Sequence, residues 1–406
     1  MRSSRWSLSR TLFLTLAFAV FASTLATAQS WSSPQFVANG LGIGVATNGA
    51  GTSAVLFIPS SSVLQASVKT GSTWSTPVTL SSLGPYNNGT GRIAVAPNGD
   101  VLAVWAFRTT NTYLPGEAQA RFFSGGQWGN TITLSTSVYG NVYSFGLPSI
   151  GFDSHSQATA VWEQFTNPTA PVCGLLAATG NATSGFGTAR AISTATTCYG
   201  RNQLAVASDG QAVVVEGATG ILSADIPGIS RSATGAWSAP VTIAAYAYRQ
   251  NQPNVGLGND GTAVVVWRTR SGVGYSVRSN GAWSPAATLP QLTGQAGGAT
   301  SVAVDGSGNA VAAFQQVTIS PGIYATYRPV GGSWQTKTQL SSGTQLAATP
   351  AGTFVDGGST VVSTRLAGTS NWNTTTFSGS ALVNAAPGQA IALIGPQVSV
   401  STASVP

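Results

Sequence analysis

The chain has 406 residues, of which 7% are charged and 43% apolar, and it carries a formal net charge of +7. An ordinary globular domain has about 25% charged residues, and exposed helix faces are built largely from Glu, Lys and Arg. The composition therefore excludes a helix-rich protein, and the apolar content argues against disorder. Because His155 is the single histidine and no Cys-x-x-Cys spacing occurs, we predict no metal site and no cofactor.

The N-terminus has the pattern of an export signal. Three arginines in the first ten residues precede an apolar run over 11–25, and the tripeptide Ala-Thr-Ala follows at 26–28. A charged start, a short apolar run and a small-residue site are typical of a signal peptide. The run is shorter than the ~20 residues that span a bilayer, so no transmembrane anchor is predicted. We expect a signal peptide over 1–28, cleaved after Ala28, and a secreted or periplasmic protein.

The two cysteines, Cys173 and Cys198, are consistent with an exported protein. An even number of cysteines in an exported protein permits a disulfide, and we predict one between them, with two buried free thiols as the alternative. The remaining Lys and Arg residues are scattered, so no nucleic-acid partner is expected. We expect a monomer.

A repeat runs through the chain after the export signal. An aromatic residue followed by a short strand of polar and apolar residues recurs at intervals of about 38 to 58 residues, the spacing typical of large repeat units. Its eight copies begin at Trp31, Trp74, Trp128, Phe186, Trp237, Trp283, Trp334 and Trp372. Each unit then predicts a second and a third strand around a tight turn, and a fourth strand that leads to the next aromatic residue.

The turns between second and third strands carry Asn-Gly, Asp-Gly or Ser-Gly, which supply the positive φ angles of hairpins. The acidic residues at these turns are expected to form the turns and not to act in catalysis. They are Asp100, Asp209, Asp260 and Asp305, and Asp153 is expected to do the same.

Two columns align across the units. In the second strand a large apolar residue precedes Gly or Ala, as in Gly44, Gly151 and Gly256, and a small column suits an inner strand where neighbouring sheets approach closely. In the third strand an aromatic residue follows the turn at a fixed distance, but Glu216 breaks this column.

Four-stranded units of about 45 residues predict an all-β fold, a β-propeller of four-stranded blades. We expect one propeller domain over 29–406 with eight sequence units, and seven blades if the degenerate last unit closes the ring with N-terminal strands. A solenoid is the alternative, but it needs atypical capping units, and the first unit here is complete.

The segments at 71–82 (GSTWSTPVTLSS), 331–342 (GGSWQTKTQLSS) and 302–314 (VAVDGSGNAVAAF) resemble the repeats of bacterial exported propeller proteins. These are grouped with sialidase-like (BNR-type) repeats and tectonin-like lectins. The resemblance covers nearly all of 31–406 and implies the fold. The sialidase Asp-box pattern S-x-D-x-G-x-T-W is absent, so the resemblance implies no sialidase activity.

Two glutamates are the weak candidates for catalysis. Glu163 and Glu216 end third strands of adjacent units at nearly equivalent positions, and Glu216 replaces an aromatic residue there. Glycoside hydrolysis normally needs two carboxylates across one bond. A structural role for both is the alternative.

The recurring tryptophans are expected to fill the space between adjacent blades, with stacking on sugars as the alternative. A basic column precedes them on the fourth strands, which we expect to be the outer blade edges, where Lys and Arg block edge-to-edge pairing. The alternative is a ring of cations for acidic glycans. The column consists of Lys69, Arg121, Arg231, Arg278, Arg328 and Arg365.

The connectors between first and second strands vary most and are rich in Tyr and Arg. In a propeller they share one face, and Tyr rings stack on sugars while Arg bonds hydroxyl groups; ordinary loop packing is the alternative. The candidate ligand-binding residues are Tyr86, Tyr139, Tyr143, Tyr199, Arg201, Tyr246, Tyr248 and Arg249.

The sequence therefore predicts an exported, non-enzymatic protein that binds carbohydrate or a cell-surface polymer through its Tyr-rich loop face. A glycoside hydrolase or lyase acting on polysaccharide is one alternative. A scaffold for another protein of the cell envelope is the other.

Overall fold

A computed structural model describes most of the chain from residue 37 to residue 341, and short strands beyond. The described residues are 37–38, 41–48, 50–60, 63–82, 90–108, 116–136, 148–167, 172–195, 202–217, 224–247, 252–270, 272–290, 300–316, 321–341, 347–348, 354–355, 360–365, 372–377, 382–383 and 402–403. The predicted signal peptide, with its cleavage site after Ala28, lies outside them and stays a prediction. Within these residues every regular element is a strand, so the expected all-β class is confirmed.

The strands form seven successive antiparallel sheets. Sheet 1 contains β1 (Leu41–Thr47), β2 (Ser53–Ser60), β3 (Val63–Thr70), β4 (Thr73–Trp74) and β5 (Val78–Ser82). Sheet 2 contains β6 (Thr90–Val95), β7 (Val101–Arg108), β8 (Gly116–Ser124), β9 (Gln127–Trp128) and β10 (Ile132–Thr136). Sheet 3 contains β11 (Ser149–Phe152), β12 (Ala158–Asn167), β13 (Val172–Asn181), β14 (Gly185–Phe186) and β15 (Arg190–Ala195).

The remaining sheets repeat the plan. Sheet 4 contains β16 (Asn202–Val206), β17 (Ala212–Glu216), β18 (Ala224–Arg231) and β19 (Val241–Ala247). Sheet 5 contains β20 (Asn254–Leu257), β21 (Ala263–Arg268), β22 (Val273–Ser279), β23 (Ala282–Trp283) and β24 (Ala287–Thr288). Sheet 6 contains β25 (Thr300–Val304), β26 (Ala310–Gln316), β27 (Gly322–Arg328) and β28 (Thr338–Ser341). Sheet 7 contains β29 (Ala347–Ala348), β30 (Phe354–Val355), β31 (Thr360–Arg365) and β32 (Trp372–Phe377).

Each sheet is a meander, whose strands we call A, B, C and D in chain order. Strand D is split into two short pieces in sheets 1, 2, 3 and 5. The A strands of successive sheets contact one another from β1 through β6, β11, β16, β20 and β25 to β29, so strand A lies innermost. Four-stranded sheets arranged in this way make the fold a β-propeller. In the eighth sequence unit the described residues include β33 (Leu382–Val383) and β34 (Thr402–Ala403), which pair in parallel.

The sheets are offset from the sequence units by one strand. The aromatic residue and the strand that follows it form strand D of the preceding sheet, as Trp74 and β5 do by pairing with β3. The second, third and fourth strands of a unit become A, B and C. The basic column therefore lies on C strands, each covered by a D strand, and the expectation that it marks blade edges is wrong.

Instead of lining an outer edge, three of these basic side chains are buried or form hydrogen bonds within their own sheet. Lys69 is only 3% exposed. The Nη1 group of Arg231 donates to the carbonyl of Gly210 at 2.7 Å, and Arg278 makes the same bond to Gly261 at 3.3 Å. Both glycines lie in the A–B turn of the same sheet, so these arginines brace the hairpin of their own blade.

The predicted small column is confirmed on the A strands. A Cβ atom added to Gly151 in sheet 3 would lie 2.7 Å from Cγ2 of Val206 in sheet 4. At Gly256 in sheet 5 it would lie 3.0 Å from the backbone nitrogen of Val304 in sheet 6. The inner strands of neighbouring sheets therefore approach too closely for a side chain at these points.

Among the described repeat tryptophans, Trp128, Trp237, Trp283 and Trp334 pack in seams between sheets, as expected for blade wedges. Trp128 lies 5.5 Å from Phe123, ring centre to ring centre, in a cluster with Leu56 of sheet 1. Trp334 of sheet 6 meets Tyr275 of sheet 5 edge-on at 5.7 Å. Each ring packs between its own sheet and the preceding one.

Candidate functional site

The two ends of the propeller differ in how they are built. At one end the A–B turns are fixed by side chains and bonded to one another. Asn48 of sheet 1 donates to the carbonyl of Ala96 in sheet 2 at 2.8 Å. Ser154 of sheet 3 donates to the carbonyl of Ser208 in sheet 4 at 2.9 Å, and the Ser208 amide donates to Asn259 of sheet 5 at 2.9 Å. We call this end of the propeller the hairpin end, and we call its linked A–B turns the belt.

The acidic residues of the belt form its turns, as predicted. One carboxylate oxygen of Asp305 accepts from the amides of Ser307 and Asn309, both at 2.9 Å. Asp153 does the same for His155 and Gln157, and the His155 side chain is exposed. These aspartates are occupied in turn formation.

At the opposite end lie the starts of the A and C strands and the ends of the B and D strands. In sheet 2, Thr90 pairs with Ala106 and Thr136 pairs with Glu117. The connectors that carry the candidate tyrosines leave from this end, and we call it the connector rim. Its D–A connectors run between the described strands over 83–89, 137–147, 196–201, 248–251, 291–299 and 342–346.

Along the chain, the predicted ligand-binding residues lie in or directly beside the D–A connectors. The backbone of Tyr246 belongs to β19. The other seven lie outside the described residues: Tyr86, Tyr139, Tyr143, Tyr199, Arg201, Tyr248 and Arg249. Their part in binding therefore stays a prediction.

Just below the rim, the seam between sheets 3 and 4 brings Glu163 and Glu216 together. Val161 of β12 packs with Val214 of β17 in the apolar cluster that joins the two sheets. Because side chains two residues apart point to the same side of a strand, Glu163 faces sheet 4 and Glu216 faces sheet 3. We call this place the glutamate seam.

Two cross-strand rows complete the glutamate seam. In sheet 3, Glu163 pairs with Leu175, and Leu175 pairs with Ser193 of strand D. In sheet 4, Glu216 pairs with Asn202 at the start of strand A. Residues directly opposite each other in an antiparallel pair share a face, so both rows point into the seam.

The carboxyl groups of the glutamate seam are removed from water. Glu163 is 3% exposed and Glu216 is 4% exposed. Burial, reinforced by the negative charge of Glu163, raises the pKa of Glu216 to about 8, and a hydrogen bond with the Ser193 hydroxyl opposes part of this rise. Glu216 therefore holds a proton at neutral pH, beside a second carboxyl group.

Asn202 is the other unusual group of the glutamate seam. Its side chain is 2% exposed, and neither its Nδ2 nor its Oδ1 atom has a hydrogen-bond partner among the described residues. Its backbone carbonyl accepts a bond from the Ser149 hydroxyl of sheet 3 at 2.9 Å. A buried amide without a partner is costly, so it marks a place where a polar partner is expected.

No other described seam has this composition. The position of Glu216 is occupied by Phe57, Trp105, Trp162, Trp267 and Phe314 in sheets 1, 2, 3, 5 and 6. The residue paired with it is a glycine in sheets 1 and 2, Gly42 opposite Phe57 and Gly91 opposite Trp105. Compared with sheets 1 and 2, sheet 4 therefore has Glu216 opposite Asn202 in place of an aromatic ring opposite glycine.

A pH dependence of stability follows from Glu216. Below its unfolded pKa the group is protonated in both states, and between that value and about 8 only the folded protein retains the proton. The stabilisation is present at low pH and lost as pH rises through about 8. In a chelating buffer we expect the melting temperature to fall by a few degrees from pH 5 to pH 9, followed by circular dichroism.

The isosteric variant Glu216→Gln is the control for this titration. It has no proton to lose, so its melting curve should be flatter over the same pH range. An identical fall in both proteins would assign the effect to another group.

The structure describes only one of the two cysteines of the predicted disulfide. Cys173 lies in β13 and pairs with Ala195 of β15, three residues before Cys198 along the chain. Cys198 lies outside the described residues, so the disulfide stays a prediction.

Sequence reasoning identified both glutamates but missed Asn202, Ser149 and Ser193. Asn202 could have been found from the sequence, because the register of the A–B hairpin places it opposite Glu216. Ser193 could not, because a bulge between Leu175 and Leu176 decides which residue of strand D faces the seam.

No protein-family model matches the sequence, and no curated protein matches it. Among solved structures, an α-L-arabinanase of Penicillium chrysogenum is 10% identical, with a TM-score of 0.42, covering 75% of this chain and 99% of that one. The protein AofleA of Arthrobotrys oligospora is 11% identical, with a TM-score of 0.43 and coverages of 77% and 90%. The six-bladed lectin of Aleuria aurantia is 12% identical, with a TM-score of 0.41 and coverages of 77% and 99%.

Likenesses of this degree imply nothing about a functional site in this chain. Within the described residues no helix is long and apolar enough to cross a membrane. On its own sheet topology, the chain is a β-propeller that carries a buried pair of glutamates beneath a rim of variable connectors.

Proposed function

We propose that this protein binds a saccharide, a glycan or cell-surface polymer, through the connector rim. The observation that carries the proposal is that all the D–A connectors leave from one end of the propeller. Hydrogen bonds between the starts of successive A strands hold that end together, such as Asn254 Nδ2 to the Thr300 carbonyl at 2.6 Å. A rigid scaffold with variable loops on one rim is the usual arrangement of a binding surface.

The residue types in these connectors fit a saccharide. Tyr139, Tyr143, Tyr199 and Tyr248 provide flat rings for the apolar faces of sugars, and Arg201 provides donors for hydroxyl groups. We further propose that the protein acts after export, with residues 1–28 removed, where such polymers are found.

The test is a glycan array followed by isothermal titration calorimetry with the best saccharide. We expect the double variant Tyr199→Ala/Tyr248→Ala to weaken binding by about tenfold or more, since each stacking ring contributes about one kcal/mol. Trp105, Trp128, Trp162, Trp267 and Trp334 pack in seams between sheets and not on the rim, so calorimetry is preferred to tryptophan fluorescence.

The matched control is His155→Ala, an exposed side chain at the hairpin end, which should bind as the wild type does. Equal melting temperatures of the variants would show that the loss is local. A wild-type protein that retains no saccharide but captures an envelope protein would overturn the proposal in favour of a scaffold.

A glycoside hydrolase remains the second candidate because of one observation. Glu216 is protonated at neutral pH beside Glu163, the composition of a general acid with its partner carboxylate. Against this, both side chains are almost fully buried, whereas a hydrolase must place its carboxylates on either side of a substrate bond. Release of reducing sugar from a bound polysaccharide, lost in Glu163→Gln and Glu216→Gln, would favour this candidate.

A further inference from the structure

Two Asn-Gly pairs lie wholly within the described residues, and they differ in their hydrogen bonds. Asn98 and Gly99 belong to the A–B turn of sheet 2, and Asn280 and Gly281 form the turn between β22 and β23 in sheet 5. Glycine has no side chain to hinder its backbone nitrogen, so an asparagine before glycine is the one most open to attack by that nitrogen. The Asn-Gly pairs at 39–40, 48–49 and 88–89 each include a residue outside the described ones.

The reacting groups of the first pair are held in place. The Oδ1 atom of Asn98 accepts from the Asp100 amide at 3.0 Å, and its Nδ2 atom donates to the Asp100 carboxylate at 2.8 Å. The nitrogen of Gly99 donates to the Ala96 carbonyl at 3.0 Å. The side-chain amide and the attacking nitrogen are therefore both hydrogen-bonded, and these bonds must break before the two groups can react.

The turn of Asn98 is also tied to the neighbouring sheets. Asn48 of sheet 1 donates to the carbonyl of Ala96 at 2.8 Å. The backbone amide of Asn98 itself donates to the Ser156 hydroxyl of sheet 3 at 3.2 Å. Opening this turn would break bonds of the belt as well as those of its own hairpin.

Asn280 has none of these restraints. Within the described part of the chain, neither its side chain nor the Gly281 nitrogen makes a hydrogen bond. Asn280 is exposed, and a Cβ atom added to Gly281 would meet no atom within 4 Å. The two residues have φ angles of 50° and 81°, as in the two-residue hairpin turns that favour Asn-Gly.

We propose that the fold makes Asn280, and not Asn98, a site of spontaneous deamidation. The Gly281 nitrogen loses its proton to solvent base and forms a bond to Cγ of Asn280, and the side-chain amide leaves as ammonia. The resulting cyclic imide takes up a water molecule, which opens the ring at either carbonyl carbon. Opening at the former side-chain carbonyl gives aspartate. Opening at the backbone carbonyl gives isoaspartate, in which the main chain runs through the former side chain.

The turn of Asn280 can open for this reaction at low cost. The nitrogen and Cγ must rotate toward each other before the ring closes, which the hairpin turn has to permit. Strand β23 consists only of Ala282 and Trp283, and two residue pairs join it to β22. Short surface elements with few backbone bonds open locally at a small part of the global unfolding free energy.

The isoaspartate product would disturb the seam between sheets 4 and 5. Its longer main chain breaks the two-residue turn, so Trp283 loses its place opposite Arg278. Trp283 packs against the apolar cluster that contains Val215 and Ile226 of sheet 4. The aspartate product keeps the ordinary main chain, and aspartate tolerates a positive φ angle. We therefore expect isoaspartate, and not aspartate, to lower the melting temperature.

The experiment is incubation of the purified full chain in mildly alkaline buffer, followed by peptide mapping with mass spectrometry. In the folded protein we expect Asn280 to convert about tenfold faster than Asn98 or more, since the Asn98 turn must first lose several hydrogen bonds. The rate should rise with pH, because the attacking nitrogen has to lose its proton. Conversion of Asn280 no faster than that of Asn98 would overturn the proposal.

The same protein unfolded in urea is the matched control for sequence effects. Without the fold, Asn98 and Asn280 should convert at similar rates, because both precede glycine. If the difference between them persisted in urea, the neighbouring residues and not the fold would cause it, and the proposal would be wrong.

Two variants test the products. Asn280→Gln should abolish conversion at this position, because a longer side chain closes the imide ring far more slowly. Asn280→Asp reproduces the aspartate product and should melt as the wild type does, whereas the isoaspartate fraction of aged protein, separated by ion exchange, should melt lower. An isoaspartate fraction as stable as Asn280→Asp would refute the effect on the Trp283 seam.

Discussion

Replacing Gly274 by alanine is expected to lower the free energy of unfolding by about 3 kcal/mol, the upper part of the range for overpacked cores. Gly274 pairs with Trp267 across strands B and C of sheet 5. The tryptophan ring lies directly over the glycine, and an added Cβ atom would stand 2.7 Å from its Cζ2 atom and closer still to its neighbours. The ring would have to leave its place.

That displacement is costly because Trp267 is 3% exposed and packs with Val215 and Ile226 of sheet 4. Urea unfolding followed by circular dichroism measures the loss. Gly187→Ala is the control, since its new Cβ atom would lie 3.6 Å from the Thr179 carbonyl oxygen, an ordinary contact. If the two variants were equally stable, the ring would not be seated on Gly274 as described.

Truncating Trp162 to alanine should have the larger effect, a loss of about 3–5 kcal/mol. Its side chain is 1% exposed and packs in the seam between sheets 2 and 3 with Ala118 and Leu134. The small residues around it indicate that the indole fills most of the space there, so its removal would leave a cavity.

The conservative variant Trp162→Phe should lose clearly less, because part of the ring volume is kept. Val241→Ala, at a position that is 50% exposed, should change the unfolding free energy by less than about 0.5 kcal/mol. Urea unfolding of the three variants checks this order. A phenylalanine variant as unstable as the alanine variant would mean that shape and not volume governs this seam.

Much of this fold was predictable from local chemistry. Asn-Gly and Asp-Gly turns, alternating strands and the small column at Gly151 and Gly256 all follow from contacts within one hairpin or between adjacent inner strands. The one-strand offset was not predictable, because a repeat has the same period wherever its boundary is drawn. The wrong expectation that the basic column, with Arg231 and Arg278, lies at the blade edges follows directly from that ambiguity.

The glutamate seam was predictable in outline only. Glu216 could be singled out because it interrupts an aromatic column, and Glu163 because it holds a near-equivalent position in the adjacent unit. That the two carboxyl groups face each other depends on which sides of sheets 3 and 4 meet, a property of packing. That the Asn202 side chain has no hydrogen-bond partner among the described residues depends on the same packing and leaves no trace in the sequence.

The one-strand offset also governs how the chain can be divided. A fragment that stops just before Trp128 would leave sheet 2 without its D strand and expose the edge of β8, an open template for aggregation. A fragment that stops within 137–147 would keep sheet 2 whole. Any attempt to shorten, permute or graft blades of this protein should therefore place its junctions in the connectors and not at the tryptophans that mark the repeat.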